Sequence, residues 1–165
     1  MRTIIQYLNN IFLPLLPDTR FFGFKRGMWR LAGVEIGKNV RICSSVTISG
    51  TGKLSIGDNT WVGPQAMICS SNRVSIGANC DIAPRVYIGD GTHEITPDRE
   101  RIAGVDATRP VSIGNGCWIC ANAIVLAGVS IADKCVVAAG AVVANAVREN
   151  QVLIAGVPAS VKKRL

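Results

Sequence analysis

The residue best suited to acid–base chemistry is His93, the single histidine in a chain of 165 residues. An isolated histidine has a pKa of about 6.5, so at physiological pH it is mostly neutral and can accept a proton. Asp90 and Glu94 are close to it in sequence, and either carboxylate or a backbone carbonyl could fix the ring's orientation. Because a lone histidine is ordinarily a surface or hydrogen-bonded residue, the residue type alone leaves both a catalytic and a structural role open.

Six cysteines are the other potentially reactive side chains, and Cys117 and Cys120 form a CxxC motif. Thiolates at this spacing can bind a metal or form a disulfide, but a metal site needs a second pair or a histidine nearby in sequence. Neither accompanies this motif. We therefore expect no metal site, six reduced cysteines that act as small buried hydrophobes, and a reducing cytoplasm.

Ile or Val recurs every six residues along much of the chain, and we call these residues the anchors of the repeat. This repeat determines which elements could position the side chains described above. Residues with small side chains follow most of these anchors, and small or β-branched residues stand four places after them. Such a unit is one side of a triangular prism, and three units close one turn of a β-helix. The fifteen anchors are Ile36, Ile42, Ile48, Ile56, Val62, Ile68, Ile76, Ile82, Ile88, Ile113, Ile119, Val125, Ile131, Val137 and Val143.

Every interruption of the repeat follows a third anchor. The spacing is eight residues after Ile48 and after Ile68, and twenty-five after Ile88. The insertions should therefore emerge at one corner of the prism. The longest one, residues 89–112, contains His93, and a long excursion without regular structure is typically a functional loop. The sequence thus predicts an all-β parallel β-helix of about five turns with one long loop.

Residues 1–33 differ from the repeat and are predicted to form an N-terminal helical, apolar segment. Residues 34–165 form the β-helix, which ends in a basic C-terminal tail. The apolar run at residues 4–15 is shorter than the roughly 20 residues of a membrane span, and no signal-peptide cleavage pattern follows it. We expect an amphipathic helix that packs on the body or on a partner subunit, with peripheral membrane contact as the alternative.

The formal net charge of +7 raises the question of an anionic partner. Basic residues are densest at residues 20–41 and 162–164. They are not interleaved with aromatic residues as in a nucleic-acid groove, so we do not expect nucleic acid as a partner. An anionic co-substrate or an acidic membrane surface fits this charge better.

Several hexads and the C-terminal region also carry a family resemblance. The segments are VEIGKN, LSIGDN, VSIGAN, CDIAPR, VSIGNG, CWICANAIVLAGVSIADKCVVAAGAVV and IAGVPAS. Through them, residues 33–165 resemble the hexapeptide-repeat acyltransferases, particularly the maltose, galactoside and polysaccharide O-acetyltransferases. The resemblance implies a left-handed coil, a homotrimer, and acetyl-CoA bound in clefts between neighbouring prisms. It also implies that His93 is the general base.

The same resemblance assigns residues to acetyl-CoA. Trp118 matches an aromatic residue near the reacting centre, with packing between subunits as the alternative. Ala121, Ala139 and Gly140 match positions whose backbone lies along the pantetheine arm, where small residues permit close approach. Toward the adenine and phosphates the matching residues are Ala144, Asn145, Ser160 and Lys163. Related enzymes often have threonine, lysine and arginine at the first three of these, and a solvated basic tail is the alternative for Lys163.

The resemblance implies an acetyl-CoA-dependent O-acetyltransferase of a saccharide, in surface polysaccharide biosynthesis. A thioester is already activated, so direct attack assisted by a general base needs no enzyme nucleophile. Gly63 stands where the sugar enzymes have an asparagine, and Asp18 does not match their acidic contact, so we expect a different acceptor from their small free sugars. The alternatives are N-acetylation of a nucleotide-linked amino sugar and a non-catalytic scaffold protein.

Overall fold

The computed structural model describes residues 1–165 and consists of two helices followed by a parallel β-coil. The helices are α1 (Arg2–Phe12) and α2 (Phe22–Leu31), and a short 3-10 turn (Leu13–Leu15) follows α1. Nineteen strands follow, most of them in three parallel sheets that form the sides of a prism.

Each sheet takes one strand from each turn. Sheet 1 contains β1 (Glu35–Ile36), β4 (Lys53–Ile56), β7 (Arg73–Ile76), β12 (Val111–Ile113) and β15 (Ser130–Ile131). Sheet 2 contains β2 (Arg41–Ile42), β5 (Trp61–Val62), β8 (Asp81–Ile82), β13 (Trp118–Ile119), β16 (Val136–Val137), β18 (Val152–Gly156) and β19 (Ala159–Arg164). Sheet 3 contains β3 (Thr47–Ser49), β6 (Met67–Cys69), β9 (Tyr87–Gly89), β14 (Ile124–Val125) and β17 (Val142–Val143). A separate hairpin contains β10 (Gly91–Ile95) and β11 (Ala103–Thr108).

The anchors of the repeat form the core, as predicted. All are buried except Ile36 in β1, the first strand, which is half-buried. Equivalent anchors pair in register, as Ile48 does with Ile68 and Ile68 with Ile88 in sheet 3. Burying one such side chain contributes about 1.5–3 kcal/mol, so the stacked column supplies the main stabilisation of a coil whose single turns have no core of their own.

The cysteines at inward positions are buried, as expected. The thiols of Cys80, Cys117 and Cys135 donate hydrogen bonds to carbonyl oxygens of the following turn, at sulfur–oxygen distances of 3.1, 3.1 and 3.2 Å. All six cysteines are free. Burial raises the pKa of the Cys120 and Cys135 thiols, which keeps them protonated and unreactive.

The coil continues beyond the predicted five turns into an incomplete sixth. Val147 bridges Ile131 in sheet 1, and β18 pairs with β16 in sheet 2. β19 then folds back antiparallel on β18. The basic residues expected in a tail therefore lie in an ordered strand, which covers the free edge of β18.

The N-terminal segment covers the opposite end of the coil. The Arg30 guanidinium donates to the carbonyl oxygens of Ile36 and Gly37 at 2.7 and 3.0 Å, and that of Arg26 donates to Val40 at 2.9 Å. These bonds satisfy edge groups that the first turn would leave unpaired. Part of the basic cluster at residues 20–41 is thus structural. Neither helix is long and apolar enough to cross a membrane.

Two corners of the prism differ in construction. The insertion corner connects sheet 3 to sheet 1 and comprises residues 50–52, 70–72, 90–110, 126–129 and 144–146. The tight corner connects sheet 2 to sheet 3 and comprises residues 43–46, 63–66, 83–86, 120–123 and 138–141. All three predicted insertions lie at the insertion corner, which confirms the prediction from their spacing.

Candidate active site

The long excursion that contains His93 is an antiparallel β-hairpin, so our expectation of a loop without regular structure was wrong. β10 and β11 pair from Gly91 with Thr108 to Ile95 with Ala103. β-branched residues at both ends of the excursion favour extended strands, and pairing satisfies backbone groups that a loop would leave to water. The hairpin therefore gives His93 a defined place outside the coil.

His93 faces a carboxylate across the hairpin. It lies directly opposite Asp106 in the register, and its Nδ1 is 3.1 Å from Asp106 Oδ1. The histidine side chain is 55% exposed and the aspartate side chain 91% exposed. Asp106, and neither Asp90 nor Glu94, therefore contacts the ring and leaves Nε2 free to exchange a proton.

Asp90 instead ties the hairpin to the coil. It is fully buried, and its two carboxylate oxygens accept hydrogen bonds from the backbone N–H groups of Ser71 and Asn72 at 2.7 and 2.8 Å. The Asn72 side chain also donates to Thr108 Oγ1 at 3.2 Å. Charge-assisted hydrogen bonds of this kind are stronger than neutral ones. Through them, the second insertion (residues 70–72) holds the end of the hairpin that joins the coil.

His93 lines two open clefts. The first, of about 340 Å³, is lined by polar groups that include Ser71 and Thr108. The second, of about 300 Å³, is lined by Ile95 and Ile102 as well as His93. His93 is therefore accessible from a polar cleft and from a more apolar one.

The residues matched to the pantetheine arm lie at the tight corner. Gly140 donates its backbone N–H to the carbonyl of Ala121 at 3.0 Å, so the two are stacked on successive turns. Ala139 and Gly140 are exposed. A Cβ added to Gly140 would meet nothing within 4 Å, although its φ of +68° disfavours any side chain. This corner therefore offers open backbone that a ligand can approach closely.

Trp118 lies on the outer face of sheet 2. It pairs with Asp81 on one side and Val136 on the other, and it is 53% exposed. Its strand leads directly into the tight corner at residues 120–123. The indole is therefore available to a ligand or to a neighbouring subunit beside that corner.

The remaining predicted residues lie elsewhere on the last turns. Ala144 and Asn145 are exposed at the insertion corner, directly after β17. Ser160 and Lys163 lie in β19, opposite Ala155 and Leu153. Ser160 accepts a hydrogen bond from Lys162 at 2.9 Å, and Lys163 is exposed.

Six of the predicted site residues separate into two groups at the two corners of sheet 3. His93, Ala144 and Asn145 share the insertion corner, whereas Ala121, Ala139 and Gly140 share the tight corner. Ala144 follows Ala139 by five positions, and β17 (Val142–Val143) lies between the two corners. Within one chain, His93 and the tight-corner residues therefore lie at different corners of the prism.

Asp106 is the residue that sequence reasoning missed. It is thirteen positions after His93, and only the hairpin register makes the two neighbours. The available signal was the β-branched character of both ends of the excursion, which favours a pair of strands. No group of three or more His, Cys, Asp or Glu side chains is arranged to hold a metal ion.

Comparisons with known proteins agree with this architecture. The family model for the bacterial transferase hexapeptide (six repeats) matches residues 110–145, and that for the hexapeptide repeat of succinyl-transferase matches residues 53–90. A protein of Escherichia coli K12 named for acetyl transfer in colanic acid biosynthesis, WcaF, is 37% identical over 132 residues. The match covers 80% of this chain and 70% of the relative.

Solved structures share the fold. A hexapeptide-repeat acetyltransferase of Vibrio cholerae, crystallised with acetyl coenzyme A, has a TM-score of 0.76 and 20% identity, with 99% of this chain and 87% of that chain covered. A maltose O-acetyltransferase of Clostridium difficile 630 has a TM-score of 0.68 and 20% identity, with 99% and 84% covered. The repeat in the core, the family models and the similarity to WcaF lead to one conclusion: the chain belongs to the hexapeptide-repeat acyltransferase family.

Proposed function

We propose that this protein transfers an acetyl group from acetyl-CoA to a hydroxyl group of a saccharide in surface polysaccharide biosynthesis. The observation that carries the proposal is the pairing of His93 with Asp106 on a hairpin outside the coil. The 37% identity to WcaF supports a polysaccharide acceptor, because that relative is named for colanic acid biosynthesis.

In the proposed reaction His93 is the general base. Its Nε2 accepts the proton of the acceptor hydroxyl while the hydroxyl oxygen attacks the carbonyl carbon of the thioester. The carbon–sulfur bond then breaks, and the leaving CoA thiolate takes up a proton from the imidazolium. The acetyl group passes directly to the acceptor, with no acyl-enzyme and no metal ion.

Asp106 is proposed to position the base. A carboxylate 3.1 Å from Nδ1 favours the tautomer with its proton on Nδ1, which leaves the lone pair on Nε2. It also stabilises the imidazolium that forms as the proton is transferred. A carboxylate performs the same two tasks in serine hydrolases of unrelated fold.

The proposal includes a homotrimer, with the left-handed coil that the family resemblance implies. Acetyl-CoA would bind where the insertion corner of one copy meets the tight corner of its neighbour. This arrangement is supported by the separation of the two residue groups on one chain. Trp118, Ala121, Ala139 and Gly140 would line the pantetheine arm, while Ala144, Asn145, Ser160 and Lys163 would approach the adenine and phosphates.

The proposal also includes a cytoplasmic location, where acetyl-CoA is available, and contact between the N-terminal segment and the inner face of the membrane. The six free cysteines are consistent with a reducing compartment.

The test is release of free CoA thiol from acetyl-CoA in the presence of a panel of acceptors. Oligosaccharides with free hydroxyls should stimulate release by the wild type, and His93→Ala should remove the stimulation. Stimulation only by nucleotide-linked amino sugars would establish N-acetylation instead. Equal background release by both proteins with every acceptor would establish a non-catalytic role.

A further inference from the structure

A cleft of about 340 Å³ lies between the N-terminal segment and the insertion corner of the first two turns. We call it the α1 cleft, because the first turns of α1 form one of its walls and residues 50–52 form part of the other. Its volume is at the lower end of the roughly 300–1,000 Å³ of small-ligand sites. None of the residues matched to acetyl-CoA lines it, so the cleft is a candidate site of its own.

The α1 wall of this cleft is held in place by amide side chains. Asn10 exchanges two hydrogen bonds, of 2.7 and 3.2 Å, with the backbone of Ile48 in the first turn. Asn9 is 1% exposed and donates to the carbonyl of Met28 in α2 at 2.8 Å. Gln6, one helical turn before Asn10, lines the cleft. The cleft is therefore preformed, and a ligand does not have to order its walls.

Arg2 gives the α1 cleft its charge. It is the only charged side chain in the lining, and no carboxylate lines the cleft. The arginine lies across the backbone of Gly33, where an added Cβ would be 2.8 Å from its Cδ and 3.1 Å from its Nε. Arg2 takes part in neither of the two ion pairs of the chain. An unpaired guanidinium in a cleft is suited to bind a carboxylate or a phosphate.

The rest of the lining combines apolar and hydrogen-bonding groups. The apolar part is contributed by the buried side chains of Val34, Ile48 and Leu54. Hydroxyl and amide groups from both walls form the polar part, and they belong to Thr3, Gln6 and Thr51. A pyranose ring presents C–H groups as well as hydroxyls, so it matches both parts. Together with the guanidinium, this lining fits a sugar unit that carries a negative charge.

The α1 cleft adjoins the polar cleft beside His93. Ser70 lines the α1 cleft, and the next residue, Ser71, lines the polar one. The N–H of Ser71 donates to Asp90 at 2.7 Å, which ties this segment to the end of the hairpin that joins the coil. Since consecutive residues are about 3.8 Å apart, neighbouring units of one saccharide can occupy the two clefts.

We propose that the α1 cleft binds an anionic sugar unit, whose carboxylate or phosphate is held by the guanidinium of Arg2. In the acetyl transfer, the unit that receives the acetyl group would lie in the polar cleft beside His93. The acceptor is then an oligosaccharide with an acidic unit next to the acetylated one. This second part rests on the proposed function, whereas the binding of an anionic sugar does not.

The test is titration of the full-length protein with three sugars that share a ring and differ at C6: glucuronate, glucose 6-phosphate and glucose. Binding is measured by calorimetry or by NMR of the ligand. At least one of the two anionic sugars should bind about tenfold or more tightly than glucose, because hydrogen bonds to charged groups contribute about 1.5–3 kcal/mol. Acetate and inorganic phosphate should bind more weakly than that sugar, since they lack the ring.

Two variants of the cleft should lose this preference. Arg2→Gln removes the charge, and Thr51→Trp places an indole in the cleft without changing the charge. Each should weaken binding of the anionic sugar by about tenfold or more. The matched control is Arg20→Gln, which removes the same charge from an exposed residue outside the cleft and should bind like the wild type.

Binding of either anionic sugar that depends on Arg2 and Thr51 supports the proposal and identifies the charged group. Equal affinity for glucose, equal affinity for acetate or inorganic phosphate, or an equal loss in the Arg2 and Arg20 variants would overturn it.

Failure of this inference and failure of the proposed function can be distinguished. His93→Ala should bind the anionic sugar like the wild type even though it is inactive. A wild type that binds this sugar but acetylates no acceptor would contradict the proposed function and leave the sugar site in place. Acetylation of acidic and neutral oligosaccharides with the same KM, in the wild type and in Arg2→Gln, would contradict the sugar site and leave the proposed function in place.

Discussion

The insertion corner and the tight corner border the same sheet, yet they are built in different ways. At the tight corner each of the five turns uses four residues, the third of which adopts positive φ at Gln65, Arg85, Asn122 and Gly140. At the insertion corner the length varies from turn to turn, and the third turn extends into a hairpin. The regular corner offers exposed backbone, and the irregular one offers a base with a carboxylate partner. In the proposed function, the tight corner would bind acetyl-CoA and the insertion corner would carry the base.

Removing the imidazole of His93 should have the largest effect on kcat. We expect His93→Ala to lower kcat by about 10²- to 10⁴-fold, the usual contribution of a general base. The side chain is more than half exposed, so the thermal midpoint should not change. Steady-state kinetics at saturating acetyl-CoA measure the loss, and a kcat near that of the wild type would remove the hairpin from the chemistry.

Removing the charge of Asp106, which contacts His93, should have a smaller effect on kcat. Asp106→Asn keeps the shape of the side chain but loses the charge, and we expect kcat to fall by about 10- to 100-fold. The KM for acetyl-CoA should stay within about twofold of the wild type, because a positioning residue acts on the base and not on binding. A change in KM with kcat preserved would contradict the assignment.

Blocking the tight corner should affect binding instead. An indole in Ala139→Trp would occupy the space beside Gly140, and we expect KM for acetyl-CoA to rise about tenfold or more, equal to about 1.4 kcal/mol or more of binding free energy. Pro84 occupies the same corner position two turns earlier, so Pro84→Trp is the matched control. Equal effects of the two changes would show that a bulky side chain disturbs the corner in general.

Loosening the end of the hairpin that joins the coil should have the smallest effect on catalysis and a measurable effect on the free energy of unfolding. Asp90→Ala removes a buried carboxylate and leaves the backbone N–H groups of Ser71 and Asn72 without their acceptor, and we expect a loss of about 2–3 kcal/mol in the free energy of unfolding. Asp58 accepts one backbone hydrogen bond, at 2.7 Å, in exposed surroundings. Asp58→Ala should therefore cost less than about 1 kcal/mol. Chemical denaturation of both variants measures the difference.

The sequence predicted the coil well because a repeat imposes the same constraint at every turn. Each anchor must face inward, so a period of six identifies the core, and the breaks in that period identify the insertion corner. The hairpin obeys no such period. Its pairing of His93 with Asp106 depends on a register that is set by the whole excursion and by the bonds of Asp90 at its base.

The N-terminal helix marks another limit of sequence reasoning. Its apolar spacing predicted an amphipathic helix, and the structure confirms that helix on the body. Periodicity identifies two faces but does not indicate which one is buried. Here the amide side chains of Asn9 and Asn10 bind backbone carbonyls of the body, so the polar face is the inward one.

The most direct test of a shared site is complementation between two inactive variants, His93→Ala and the double variant Ala121→Trp, Ala139→Trp. Each is expected to be inactive alone, since one lacks the base and the other has a blocked tight corner. If a site combines the two corners of neighbouring copies, random mixing in a trimer restores an intact pair at about a quarter of the interfaces. Co-expression of both chains should then recover about a quarter of the wild-type kcat. Mixed trimers that form and remain inactive would contradict the shared site.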